Sequence, residues 1–450
     1  MADSLSNPTI KNTPLAVAPG LLLGVSDDPS SSTYREVHAI DCYEAGYTEA
    51  TTWDELVTLQ TAGTPSLICS ALTVGASVTL DGAPIKFTPT GSLDLNGFTL
   101  ALDSQVINPD NHQIFLNFNP GDVRGHWGGV QVRFPEWWGA FNASTNQVGD
   151  TSSSAAFKAA MNSGEIQPAL SAGQLQIEVR LNGQYRLTET LVVPANTHLV
   201  GVSERSTLLF FHDTDLTTGD YAIQAGDQAG INWNFDVQIR NLFIVLAEPA
   251  TKTIGAITAI GALGEGTTFR NLRIGNFTGT AINFGNFVCL GVSVRHIHIT
   301  QAGNDAAGEV GIEFGGGTQM VEVQHVTVNA SPGLERAACV KITNSRHVSL
   351  QHLNVEDADV GVKIISTSNT APIFFTASHV SATNGTTPIL FELDDQVIGT
   401  ASYYNIESCT SGATGIVMVD DIGAVAGPGL GLSFRLASYQ RYGATPGVIL

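Results

Sequence analysis

The sequence predicts an all-β chain: a parallel β-helix, closed by a short capping helix and preceded by a small β-rich domain. Three observations carry this. The first is an apolar strand that returns with Asn or His at the same place: VQIRNLFI (237–244), TTFRNLRI (267–274), VSVRHIHI (292–299), VEVQHVTV (321–328) and VSLQHLNV (348–355). Asn241, Asn271, His296, His325, His352, His379 and Ser408 align, and the intervals between them are long and nearly equal. A period this long, with alternating strands and no helical pattern inside it, marks a solenoid. The second is another strand column in phase with the first, from GAITAIGA (255–262) through TAINFGN, GIEFGGG, CVKITNS, GVKIIST and PILFELDD to GIVMVDD (415–421). Two columns in phase need a coil that returns on itself once per repeat. The third is composition. Only 14% of residues are charged and there are 47 glycines, as suits stacked strands joined by tight turns.

Equivalent positions on successive coils stack, so the Asn/His column is expected to be a structural ladder that satisfies buried turn backbone. A catalytic histidine needs no copies on four coils. Arg240, Arg270 and Arg295, followed by Gln324 and Gln351, precede the ladder residues and are expected to form an outward polar stripe.

Before the repeats, residues 1–35 are rich in Ser, Pro and Asn around one apolar patch and read as an arm. Residues 36–133 form the β-rich head, with a short helix expected over Thr52–Gln60; its strands are either irregular first coils or a separate domain. The β-helix is expected over 134–426. It begins with Pro135-Glu136-Trp137-Trp138-Gly139-Ala140 and a helix at about 153–163 that covers the open end of the core. Trp137 and Trp138, behind a proline at a junction, read as packing. Residues 427–450 are expected to form a tail that contacts other subunits.

The chain carries 20 Lys+Arg against 41 Asp+Glu, a net charge of −21. That disfavours bulk binding to nucleic acid or anionic membranes. No apolar run is long enough to span a bilayer, and the patch at 14–24 has too little preceding positive charge for a signal peptide. Five scattered cysteines favour buried thiols and synthesis in a reducing cytosol.

Taken in order, GSLDLNGFTL, PEWWGA, the Ala-rich helix, LNGQYRL, LVVPANTHLVGVSERSTLL and the coils resemble bacteriophage tailspikes of the pectate-lyase-like right-handed parallel β-helix superfamily. The resemblance covers about residues 80–420. In the usual pattern an Asp-Gly…Asp-Asp-Thr run precedes the helix, and here only Asp150-Thr151 stands. The resemblance implies a homotrimer on a phage tail, made in the host cytoplasm. It implies attachment to tail or capsid-adaptor proteins through the arm. It also implies binding, and often cleavage, of bacterial surface polysaccharide, either lipopolysaccharide or capsule. No catalytic motif of the family is matched residue by residue.

Hydrolysis of a glycosidic bond needs two carboxylates, about 5 Å apart for retention and about 6.5–9.5 Å for inversion. Asp394-Asp395 and Asp420-Asp421 end equivalent strands one repeat apart and are expected to stack. They read as a general acid/base pair, a Ca²⁺ site or a solvated turn. Glu356, Asp357 and Asp359 form a second acidic turn, and Glu313, Glu322 and Glu392 are reserves within strands. A lyase would use a base such as Lys341 or Lys363 against a uronate. Trp233, expected in a turn, either stacks on a sugar or packs on its own loop. Tyr403 and Tyr404 are further candidates for sugar contact. A depolymerase, a glycoside hydrolase ahead of a lyase, and a non-catalytic receptor-binding or structural tail component remain the two readings. A secreted pectin-type enzyme is a weaker third.

Overall fold

The protein is described by a computed structural model over residues 15–18, 21–23, 46–108, 111–127, 132–142, 151–165, 175–247, 252–285, 287–300, 310–315, 318–329, 338–356, 360–366, 374–383, 387–393, 402–411, 417–420, 432–436 and 439–441. It divides into two compact units, Met1–Phe118 with Gly125–Val130, and Asn119–Arg124 with Gln131–Leu450.

The first unit is itself a parallel coil with three strand columns. Ser66–Ile68 pairs with Ile85–Phe87, which pairs with Val106–Ile107. Ala71–Thr73 pairs with Ser92–Asp94, which pairs with Phe115–Leu116. Val78–Leu80 pairs with Leu100–Leu102, and every one of these pairings is parallel. Ser66 is the register partner of Ile85, and Val78 that of Leu100, so these coils are shorter than those of the later repeats. Strands this short leave too little alternation for the period to show in the sequence. Helix Trp53–Thr61 starts the unit, with the Thr52 side chain accepting from the Glu55 amide. It buries Trp53, Leu56 and Gln60. Gln60 is tolerated inside because its amide donates to Ser66 Oγ at 3.0 Å and accepts from Ser104 Oγ at 2.7 Å. Within the predicted arm, Leu15–Ala18 and Leu21–Leu23 pair antiparallel.

The second unit is a two-sheet parallel β-helix. Its larger sheet runs from Val132–Arg133 through Ile177–Leu181, Thr197–Gly201, Gln238–Leu246, Thr268–Gly275, Ser293–Thr300, Gln319–Asn329, Arg346–Glu356 and Phe374–Thr383 to Ser402–Ser411. The smaller sheet runs from Leu191–Val193 to Val417–Asp420. Residues of the predicted tail add to the larger sheet: Leu432–Leu436 and Tyr439–Arg441 both lie parallel to Ser402–Ser411. The core between the columns is aliphatic and aromatic, with Phe269, Phe284 and Phe314 stepping up it at ring separations of 5.0 and 5.8 Å. Cys289 and Cys339 are buried thiols in this unit, and burial pushes the Cys289 thiol up to about 12. Cys69 is buried in the first unit. Such thiols are protonated and inert.

Helix Ser154–Met161 packs on the 3₁₀ turn Pro135–Trp138 and on strands Ile177–Leu181 and Leu191–Val193. It buries Ala156, Phe157, Ala159, Ala160 and Met161 there. Trp137 and Trp138 are 4% and 2% exposed, so both are packing residues. The N-cap Ser153 does not cap the helix with its side chain, while Ser152 Oγ accepts from the Ser154 amide at 3.3 Å. Ser153 Oγ instead bonds the Phe141 amide and carbonyl.

The ladder is where backbone chemistry explains residue choice. Asn241, Asn271, His296, His325, His352 and His379 all adopt φ between 52° and 60°. This left-handed conformation is disfavoured for most side chains and tolerated best by Gly and Asn, with His also enriched. One left-handed residue breaks the alternation of its strand. Arg295 and His296 both face outward, and Val294 and Ile297 on either side are buried. The column therefore stacks as expected, with the four histidines exposed on the outer surface and Asn241 and Asn271 half-buried. A second left-handed column precedes the same strands: Asn196, Asp236, Gly266, Gly291, Met320 and His347. Its mixed residue types hid it from the sequence.

Candidate functional site

On successive strands of the larger sheet, Arg240, Arg270 and Arg295 are in register, followed by Gln324 and Gln351. The neighbouring outward row reads Glu178, His198, Gln238, Thr268, Ser293 and Glu322. Both rows and the first two ladder residues line an open groove of about 680 Å³, with Glu178, Arg180, Arg240, Arg270, Asn271 and Arg295 among its walls. The outward polar stripe expected from the sequence is thus the wall of a concave site.

The charges in the groove are unevenly matched. Glu178 accepts from both Arg180, at 2.5 Å, and Arg240, at 3.0 Å. Arg295 pairs with Glu322, which also accepts from Gln324. Arg270 is exposed and has no carboxylate partner among the described residues. The Nε atoms of Arg240 and Arg295 and the hydroxyl of Ser293 are buried without a hydrogen-bond partner in the structure. Asn271 donates to Asn241 at 2.8 Å, which orients both amides at the groove's edge.

One cluster near the groove escaped the sequence reading. Asp236 accepts from His198 at 2.9 Å, Gln238 at 2.8 Å and Gln176 at 2.5 Å. Burial pushes the Asp236 carboxyl up, but these hydrogen bonds outweigh it and hold the group below its ordinary value. A carboxylate that accepts from three residues in separate strands or loops clamps the coils together. The His–Asp contact joins two distant points of the chain, and no local spacing announces it.

Beyond the groove the imidazoles form a column. Ring centroids are 4.8 Å apart for His296 and His325, and 4.5 Å for both His325–His352 and His352–His379. Burial, the neighbouring His325 imidazole, Arg270 and Arg295 hold His296 below its ordinary value, against a small upward pull from Glu204. His352 is lowered by burial and by His325 and His379.

Among the described residues, none of the predicted catalytic or sugar-contact residues lines this groove. Glu356 ends strand Arg346–Glu356 in register with Asn329 and Thr383, and accepts from Asn354 at 3.3 Å. Asp357, Asp359, Asp394, Asp395 and Asp421 lie outside the described residues. Asp420 ends its strand opposite Leu393, and the expected stacking of the two acidic pairs lies outside the described residues. Trp233 is not in a turn. It lies in strand Tyr221–Asn234 of the smaller sheet, in register with Ala262 and stacked on Phe235 at 6.2 Å. Tyr403 and Tyr404 pair with Phe374 and Phe375, and their side chains lie outside the described residues. In the smaller sheet Glu313 is bound to Lys341 at 2.8 Å, with Lys363 next in register. Glu392 pairs instead with Ile365 and Val419. No three-ligand metal cluster occurs among the described residues.

No family model and no curated protein matches the chain. Solved structures similar to it are phage tailspikes and other parallel β-helix proteins. ORF18 of Geobacillus virus E2 is 11% identical with a TM-score of 0.39, over 69% of this chain and 61% of that one. The gp42 tailspike of Acinetobacter phage vb_AbaP_AS12 is 11% identical with a TM-score of 0.32, over 69% and 63%. Tailspike protein 2 of the Escherichia coli O157:H7 bacteriophage CAB120 is 11% identical with a TM-score of 0.29, over 68% and 46%. The chain thus spans less than two thirds of each of these three. Likeness at this level bears on the fold alone, and the fold rests on the strand registers above. Among the described residues no helix is long and apolar enough to cross a membrane.

Proposed function

We propose that this chain is a tailspike-like receptor-binding protein that holds a bacterial surface polysaccharide, lipopolysaccharide or capsule, against the outer face of its β-helix. The observation that carries this is the groove lined by guanidinium, amide and hydroxyl groups, with Arg240, Arg270 and Arg295 in register on three successive coils. A linear polymer of hydroxylated rings is met by such a row of donors and acceptors. The sequence resemblance points the same way and adds a homotrimer, an arm docked on tail or capsid-adaptor proteins, and a place on the virion.

Cleavage during adsorption is the second part of the proposal. Hydrolysis would use paired carboxylates, and the candidates remain Asp394, Asp395, Asp420 and Asp421, then Glu356, Asp357 and Asp359, with Ca²⁺ as an alternative occupant of the first group. The non-catalytic reading draws on one observation. Glu178 and Glu322 at the groove are engaged by arginines, and Asp236 near it by His198, Gln238 and Gln176. The test is digestion of purified lipopolysaccharide and capsule, with product mass analysis. Shortened glycan supports an enzyme, and an unsaturated end marks a lyase. If glycan is shortened, loss of cleavage with retained binding in Asp394→Asn or Asp420→Asn assigns the site. Bound but intact glycan leaves a receptor-binding protein, and no binding at all overturns the proposal.

A further inference from the structure

The groove gathers four arginines on a chain whose net charge is −21. Glu178 pairs with Arg180 and Arg240, and Glu322 with Arg295. Asp236, near the groove, is engaged by His198, Gln238 and Gln176, and Arg270 has no carboxylate partner among the described residues. Three of these guanidiniums stand in register on adjacent strands, which lie roughly 4.8 Å apart. Like charges so close repel, and an anion bound among them relieves that repulsion.

From this we infer that the groove selects an anionic glycan, with a carboxylate or phosphate substituent held by Arg270 between Arg240 and Arg295. The inference rests on the glycan-binding reading and narrows it to a substrate class. Arginine presents a planar fork that matches either oxyanion with two parallel hydrogen bonds. The Asn241 and Asn271 amides at the edge of the groove suit the neutral hydroxyls beside it.

The experiment uses the full chain and an array of purified bacterial O-antigens and capsular polysaccharides, neutral and acidic, with single-stranded oligonucleotide as a further probe. Polymers that bind are retested after reduction of their carboxyl groups and, separately, after removal of phosphate. Binding is expected on acidic polymers only, to fall at least tenfold after one of the two treatments, and to weaken with added salt. That treatment identifies the substituent. Arg270→Gln should cost a comparable factor with unchanged melting, and Arg270→Lys should restore part of it. Neutral polymers bound as well as acidic ones, or Arg270→Gln without effect, would overturn this inference and leave the glycan reading standing. Preference for the oligonucleotide overturns it as well. Binding to no polysaccharide overturns both.

Discussion

The rings of His325 and His352 lie 4.5 Å apart and within 7° of parallel, on adjacent strands. Both residues are left-handed, with φ of 53°, so the backbone that allows His at these positions also aims the rings outward and stacks them. Protonating one ring opposes protonation of the next, and Arg270 and Arg295 add to this at His296. A histidine whose folded pKa lies below its unfolded value of about 6.5 stabilises the fold above that pH. The contribution is lost as pH falls through the lowered folded value. The protein should therefore melt lower at pH 5 than at pH 7.5. Replacing His296, His325, His352 and His379 together by Asn keeps the left-handed backbone and should shrink that difference. An equal drop in melting temperature in the variant would refute the account.

Met320 has φ of 52° and a side chain 53% exposed. A branchless but bulky side chain gains nothing from this conformation, which costs roughly 1–2 kcal/mol for an ordinary residue. Met320→Asn places a tolerant residue there and loses little burial. A gain of about 1 kcal/mol in denaturant unfolding is expected, and a loss would show that Met320 is covered in the assembled protein.

Glu136 accepts from the Tyr185 hydroxyl, and its second oxygen is buried without a partner. Burial raises its pKa, and the Tyr185 bond only partly counters this. For an acid with a raised folded pKa, the stabilising form is the protonated one. That stability is full below the unfolded pKa and is lost as pH rises through the folded value. Glu136→Gln keeps an acceptor for Tyr185 and removes the buried charge. The variant should melt at or above wild type at pH 7.5 and show no advantage at pH 4. A variant less stable than wild type at pH 7.5 would mean the ionised carboxylate is needed.

The Glu313–Lys341 pair is part-exposed, with 21% and 29% of the side chains open. Such pairs are worth about 0.2–1 kcal/mol. Glu313→Gln should lower stability by less than about 1 kcal/mol and leave glycan cleavage, where present, unchanged. Loss of cleavage would move the acid to this sheet.

Assembly is tested by light scattering at micromolar concentration, where a parallel homotrimer is expected and a monomer would end that proposal. Deleting residues 1–35 should leave the trimer folded and abolish its incorporation into virions.

The sequence by itself determined the β-helix of the second unit, because a coil must place equivalent residues over one another and the chain repeats them visibly. The Asn/His column, the Arg-to-Gln stripe and the buried Trp137 and Trp138 were all legible as patterns. What only the tertiary structure decided depends on which way side chains face and which strands adjoin. One left-handed residue per coil turned the ladder from core to surface. Asp236 met His198 across two neighbouring strands, Asp420 came to lie opposite Leu393, and Trp233 entered a strand beside Phe235. For the first unit the sequence left irregular first coils and a separate domain both open, because its strands are too short to alternate. The groove itself is a product of register. Arg240, Arg270 and Arg295 are far apart in the chain and become one site only when parallel strands stack them.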